Sequence, residues 1–346
     1  MSHSLPPGRL RSHPPAPPRD PSPAIIRVLD VDEKGRVRVT KGTDLLRPPP
    51  EGTLRWVDLQ DQDAPSLELL RERFDFHPLA IEDCMHFDQR SKVEEYTDSL
   101  FVVTHGVQMP EEGPLELLEL HAFLGKSFLV TVHAFPMPTV NAVWDRVVGD
   151  PGLARRGPDY LYYLVADNLV DALFPVLDRI GDRIEAIELS VLEDPTPDDL
   201  TEMFVLRRML STLRRALSPQ RDAFALLAKR GVHSDDRTAP YFRDVFDHVA
   251  RLSESIDMHR DMLGNCFDAY LSGVSNKTNG VMKSLTIMSA IFLPLSFIVG
   301  FFGQNFDDFP LFPDWVHSEH LMWIMFASCV AVPMVLLISF RRSGWW

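Results

Sequence analysis

Apolar residues recur at two different periods along the chain, and the change falls near residue 158. Upstream they gather in short runs, Ile25–Val31, Val37–Thr40, Leu54–Leu59, Leu100–Val107, Leu115–Leu124 and Phe128–Val132, with turn residues between them. Such runs predict the strands of a sheet. Ser66–Phe74 and His77–Met85 read as helical insertions. From Asp159 the spacing becomes helical. Leu161–Leu192 predicts one helix, and Asp194-Pro-Thr-Pro-Asp-Asp supplies a turn and an N-terminal cap for a second from about Asp198. Ser218-Pro219 is a candidate break in that second helix. Pro240 opens a third segment that meets no further proline until Pro294.

The C-terminal end changes the class of protein. Ser284–Phe306 runs for 23 residues without a charge, and Leu321–Phe340 for 20. Each reaches the roughly 20 residues needed to cross about 30 Å of hydrocarbon. Lys277 and Lys283 precede the first stretch and Arg341 and Arg342 follow the second, whereas the loop between holds Asp307, Asp308, Asp314 and Glu319 but no Lys or Arg. The positive-inside rule therefore predicts a multi-pass cell (inner) membrane protein with both termini cytoplasmic. A continuous helix over 241–302 would be about 90 Å long, some three times a bilayer.

The expected fold is an α+β cytoplasmic domain with a long stalk helix and two C-terminal transmembrane helices. Its parts are a Pro-rich, disordered start (1–23), the α/β domain (24–157), a helical hairpin region (158–240) and the stalk (241–302), whose last part, about 284–302, is the first span. An extracytoplasmic loop (303–320), the second span (321–340) and a basic tail (341–346) complete it.

Charge and composition narrow the chemistry. A formal net charge of −14 over 346 residues argues against nucleic acid and anionic lipid as partners and favours small cations. The three cysteines, Cys84, Cys266 and Cys329, form no CxxC pair, so neither a disulfide framework nor a zinc ribbon is expected. Gly125-Lys126-Ser127 falls short of a phosphate loop because Leu120 stands where its first glycine belongs. No HExxH or Gly-x-Ser-x-Gly pattern occurs either, and no enzyme or prosthetic group is expected.

Placed at 100° intervals, Met282, Leu285, Ser289, Leu293, Ser296, Gly300 and Gly303 fall within an arc of roughly 80°, with Asn279 beside it. One face of the span thus holds nearly all of its small and polar residues. Such a face either packs against another helix or lines a pore. With two spans per chain, a pore requires several copies.

Near the end of that stripe, Tyr270-Leu-Ser-Gly-Val-Ser-Asn-Lys-Thr-Asn-Gly-Val-Met-Lys283, Phe292-Leu-Pro-Leu-Ser-Phe-Ile-Val-Gly300 and Gly303-Gln304-Asn305 resemble the CorA family of divalent-cation channels. The resemblance extends through His77-Pro-Leu-Ala-Ile-Glu-Asp83, Gln89-Arg-Ser-Lys-Val-Glu94 and Tyr241-Phe-Arg-Asp-Val-Phe-Asp-His248. Here Gly-Gln-Asn replaces the family's Gly-Met-Asn. What the resemblance implies is a funnel-shaped homopentamer in a lipid bilayer, with the stalk lining the pore. It implies a filter at Gly303, Gln304 and Asn305, a hydrophobic constriction at Met282 and Leu285, and polar rings at Asn279 and Ser296. Asn305 would bind the hydrated ion through amide oxygens, which suits Mg²⁺ because that ion gives up water reluctantly.

Asp244, Asp247 and His248 stand at i, i+3 and i+4 and share a helix face. The resemblance implies that Asp244 meets Asp83, with Glu82 beside it, across a subunit boundary as a regulatory metal site, and that Asp268 is a further ion position. His248 would also admit a softer ion such as Co²⁺ or Zn²⁺. His105, His121 and His133 lie in strand-like segments and read as structural. The expected function is passive divalent-cation uptake, Mg²⁺ first with Co²⁺ or Ni²⁺ as further cargo, gated by cytoplasmic metal. The alternatives are a zinc transporter like the ZntB branch, with or without proton coupling, and a non-conducting membrane-anchored metal sensor.

Overall fold

The computed structural model describes residues 24–42, 51–110, 114–230, 237–302 and 318–345. The Pro-rich start and the Gly303-Gln304-Asn305 segment lie outside the described residues. Strands β1 (Ile25–Val31), β2 (Val37–Lys41) and β3 (Leu54–Gln60) are followed by helices α1 (Ala64–Phe74) and α2 (Pro78–Met85). Next come β4 (Lys92–Glu95), β5 (Leu100–Gln108), β6 (Glu116–Leu124) and β7 (Phe128–His133). They form one seven-stranded sheet in the order β2-β1-β3-β7-β6-β5-β4. Only β3 and β7 pair in parallel; the other neighbours are antiparallel.

Alternation along the central strands gives the sheet two buried faces. Val28, Val57, Leu59, Val103, Phe123 and Val130 point to the α1–α2 side, where they pack with Leu67, Leu70, Phe76 and Ile81. The opposite face meets α3 (Pro138–Gly149) and α4 (Pro158–Asp171), with Trp56 against Trp144 at 5.0 Å between ring centres. That second face also buries charge. Arg27 and Thr131 both stand in register with Asp58 across neighbouring strands. Arg27 Nε donates to Asp58 Oδ2 (2.8 Å), Thr131 donates to Oδ1 (2.5 Å), and His133 Nε2 lies 3.1 Å from the same oxygen. Arg27 also reaches Asn141 (2.7 Å) and stacks over Trp144, which ties α3 to the sheet. Residues 125–127 are the turn between β6 and β7, closed by Gly125 N–H donating to the Phe128 carbonyl (2.9 Å).

The helices that follow are α5 (Phe174–Glu193), α6 (Pro197–Arg230), α7 (Ala239–Phe302) and α8 (Ser318–Arg342). Thr196 and Asp199 cap α6 reciprocally: the Asp199 carboxylate accepts from Thr196 N–H (2.8 Å), and Asp199 N–H donates to Thr196 Oγ1 (3.3 Å). At 64 residues, α7 is one uninterrupted helix, about 96 Å long at 1.5 Å per residue.

Four elements differ from the expectation. The strand β4 and the helix α3 were not foreseen, since Lys92–Glu95 is too polar and too short to show a period. Leu161–Leu192 is two helices, because the chain turns at Ala172 and Leu173. Pro175 then sits in the first turn of α5, where a missing N–H costs nothing. Ser218-Pro219 does not break α6, which continues through it. Leu217, Gln220 and Phe224 are buried on both sides of that proline, so packing compensates for the lost hydrogen bond.

Contacts divide the chain into two units, residues 1–186 with 201–264 and residues 187–200 with 265–346. In the second unit Lys277 Nζ bonds Asp194 Oδ1 (2.7 Å). A Cβ on Gly273 would stand 2.8 Å from Pro195 Cγ, so only glycine lets these segments approach so closely. The apolar windows of α7 and α8 are long enough to span a membrane, and neither is buried inside the fold. Residues 158–193 are also apolar enough by composition, but 61% of their 18-residue apolar window is buried. That window is largely core.

Candidate metal-binding clusters

Two carboxylate clusters stand out in the first unit. One is an open cavity of about 540 Å³ between α2 and β4, lined by Leu79, Glu82, Asp83, Lys92, Glu94, Glu95 and Tyr96. His77 caps α2, accepting from Leu79 N–H (3.3 Å), and its ring stacks on Tyr96 at 4.7 Å. Helical spacing then carries Glu82 and Asp83 to the cavity, while period two brings Lys92, Glu94 and Tyr96 to it from β4 and its end. Lys92 Nζ bonds both Asp83 Oδ2 and Glu94 Oε1, each at 2.7 Å, and the Tyr96 hydroxyl donates to Glu94 Oε2 (2.8 Å). Burial opposes the Lys92 charge, but hydrogen bonds to Asp83 and Glu94 outweigh it and raise this ammonium's pKa. Burial likewise pushes Glu94 up, and its bonds to Lys92 and Tyr96 prevail to hold it low.

The other cluster joins α4 to α7. Asp167 and Asp171 stand at i, i+4 on α4, and Asp244 and His248 at i, i+4 on α7. Oxygens of Asp167 and Asp171 and a ring nitrogen of His248 all lie within 4.8 Å of one another. His248 Nδ1 is 3.4 Å from Asp171 Oδ1, and Nε2 is 3.9 Å from Asp244 Oδ1. The edge of the His248 ring meets Phe174 at 5.9 Å, which fixes its orientation. Asp167 is held above the ordinary carboxylate range, first by burial and then by the charge of Asp171, with His248 opposing. The cluster is short of positive charge. Carboxylates with one imidazole form a donor set that suits Mg²⁺ through the oxygens and Co²⁺ or Zn²⁺ through the nitrogen as well.

The structure thus brings Asp244 and His248 together, and adds Asp167 and Asp171, which the sequence reading missed. Their signal was available: two aspartates at i, i+4 in a largely apolar segment. Asp247 is exposed and is not among the residues whose ligand atoms gather there, Glu82 is exposed and lines the cavity, and Asp268 is exposed on the second unit. Asn279, Met282, Leu285, Ser289, Leu293, Ser296 and Gly300 are all exposed along α7, Met282 at 61%, Leu285 at 63% and Leu293 at 73%. Exposed leucine and methionine at this density are not a soluble surface.

A long helix that leads from a folded domain with clustered carboxylates into uncharged, unburied sequence describes a membrane protein that handles cations. The family model for the CorA-like Mg²⁺ transporter protein matches residues 51–342, and the chain belongs to that family. It is a divalent-cation transporter and not an enzyme. YfjQ of Bacillus subtilis (strain 168) is 36% identical over 291 residues, 84% of this chain and 89% of that protein. The cobalt/magnesium transport protein CorA of Thermotoga maritima is 33% identical over 286 residues, 79% of this chain and 78% of that one. The CorA magnesium transporter structure from Methanocaldococcus jannaschii superposes with a TM-score of 0.78 at 22% identity, over 93% of this chain and 98% of that one. The last comparison bears on the fold alone.

Proposed function

We propose that the chain forms a homopentameric channel for Mg²⁺ in the cell membrane, with Co²⁺ or Ni²⁺ as further cargo, and that metal at the two clusters favours the closed state. The observation that carries this reading is the single helix α7. It presents Asp244 and His248 near its start and the exposed stripe from Asn279 to Gly300 near its end. On this reading, metal bound near the start of α7 biases an equilibrium between conformations in which the later part of the same helix lines the pore. The membrane potential supplies the driving force. One charge gains about 2.3 kcal/mol per 100 mV, so a divalent ion gains about 4.6 kcal/mol, enough for roughly three decades of gradient. His248 favours one second reading, transport of Zn²⁺ as in the ZntB branch. Flux of Mg²⁺ and Zn²⁺ in reconstituted liposomes, with and without a proton gradient, separates these readings and also a non-conducting sensor.

Regulation gives a direct test. Two carboxylates 4 Å apart repel by about 4 kcal/mol at an effective dielectric of 20, so removing the cation between them drives a cluster apart. Asp83→Ala and Asp244→Ala are each expected to weaken inhibition of flux by internal Mg²⁺, and Asp244→Lys to make flux independent of it. Unchanged inhibition curves in both alanine variants would place the sensor elsewhere.

Topology is tested separately. With both termini cytoplasmic and residues 303–320 outside, Ser318→Cys is expected to react with an impermeant thiol reagent in intact cells above the wild-type background. Labelling only after lysis would reverse the orientation.

A further inference from the structure

The cavity between α2 and β4 already holds a cation that belongs to the chain. Lys92 Nζ lies 2.7 Å from Asp83 Oδ2 and 2.7 Å from Glu94 Oε1. The pair joins a helix to a strand, so it is not one of the local pairs that helical spacing produces. Tyr96 donates to the second oxygen of Glu94 (2.8 Å), which turns the first toward the ammonium. The Lys92 side chain is 29% exposed and that of Asp83 20%, so both are open to an arriving ion. Glu82 and Glu95 complete the lining, four carboxylates against one ammonium.

We propose that Lys92 is a built-in competitor for the metal at Asp83: its ammonium occupies the carboxylate until a divalent cation displaces it, and it thereby sets the concentration at which the site fills. The inference rests on Asp83 being a regulatory ligand. The exchange is physically reasonable in both directions. An ammonium on a four-carbon stem brings one charge and three rotatable donors, whereas a divalent ion brings two charges and its own water. Once displaced, the ammonium keeps Glu94 as its partner, so it is not left buried and unpaired. A site available for only a fraction of the time binds more weakly by that fraction. An ion pair closed about nine-tenths of the time weakens apparent affinity about tenfold.

The test uses the full chain in liposomes, with flux read against internal Mg²⁺. Lys92→Met keeps the stem and removes the charge, and is expected to lower the half-inhibitory Mg²⁺ concentration about tenfold. Lys92→Gln keeps a hydrogen-bond donor for both carboxylates, guards against a folding defect in the methionine variant, and is expected to shift the same way. Lys92→Arg keeps the charge and should not lower the midpoint. If the two neutral variants leave the midpoint unchanged or raise it while Asp83→Ala still weakens inhibition, Lys92 is a structural tie and the competitor role is wrong. If Asp83→Ala itself leaves inhibition intact, the regulatory reading of Asp83 fails and the competitor role falls with it.

Discussion

Asn305→Ala is expected to reduce divalent-cation flux by about two orders of magnitude while the protein still assembles. Asn305 lies outside the described residues, and its proposed role is what the resemblance of Gly303-Gln304-Asn305 to the CorA family's Gly-Met-Asn implies. A ring of amide oxygens, five in a pentamer, holds a hydrated ion through its water without stripping it, as Mg²⁺ requires. Each such bond contributes about 1 kcal/mol net. Losing the equivalent of two or three lowers occupancy about a hundredfold. Gln304→Met serves as the contrast. If Gln304 braces Asn305 by a side-chain bond, its loss changes ion preference severalfold without abolishing transport. Competition of Mg²⁺ against Co²⁺, Ni²⁺ and Zn²⁺ in both variants checks the assignment. A dead Gln304→Met channel, or normal flux and selectivity in Asn305→Ala, would show the filter roles to be wrongly given.

Asp58→Ala is expected to cost the sheet-bearing unit about 3–5 kcal/mol, the usual result of leaving buried charge without its partner. Asp58 is 1% exposed and takes contacts from Arg27, Thr131 and His133 at once. Burial alone would push its carboxyl up, but His133, Arg27 and Thr131 together outweigh it and hold the pKa below the ordinary value. The sign of the pH dependence follows. A carboxylate with a lowered folded pKa stabilises fully above its unfolded pKa, about 3.9, and loses that contribution as pH falls through the folded value. The difference between wild type and Asp58→Ala should therefore be largest at neutral pH and shrink below about pH 4. Thermal unfolding of the purified protein in detergent measures it. A loss under 1 kcal/mol at pH 7 would mean that Arg27 and His133 find other partners.

The network around Asp58 also marks where sequence reading stopped. His133 was read as structural from its strand-like setting, and its ring does lie between Asp58 and the Phe135 carbonyl, 2.6 Å from Nδ1. Its partner was not legible, because Asp58 on β3 meets it only through the β3–β7 register. The same limit applied at the carboxylate clusters. Asp244 and His248 were paired from their spacing alone, since i and i+4 on a helix always share a face. Asp167 and Asp171 obey the same rule, but they stand in a segment read only for its apolar period.

By itself the sequence determined what depends on one segment and its solvent. Two uncharged stretches long enough for hydrocarbon, the one-sided distribution of Lys and Arg, the cap of α6 and the small-residue stripe of α7 are local properties of composition and period. Tertiary structure alone decided what depends on segments meeting. It buried most of the apolar window within residues 158–193, which by composition could pass for a span. It carried α6 through Pro219, where packing on both sides outweighs one lost hydrogen bond. It also set Lys92 between Asp83 and Glu94. Helical and strand periods fix the direction of a side chain on its own element, whereas the partner it finds is fixed by how the elements pack.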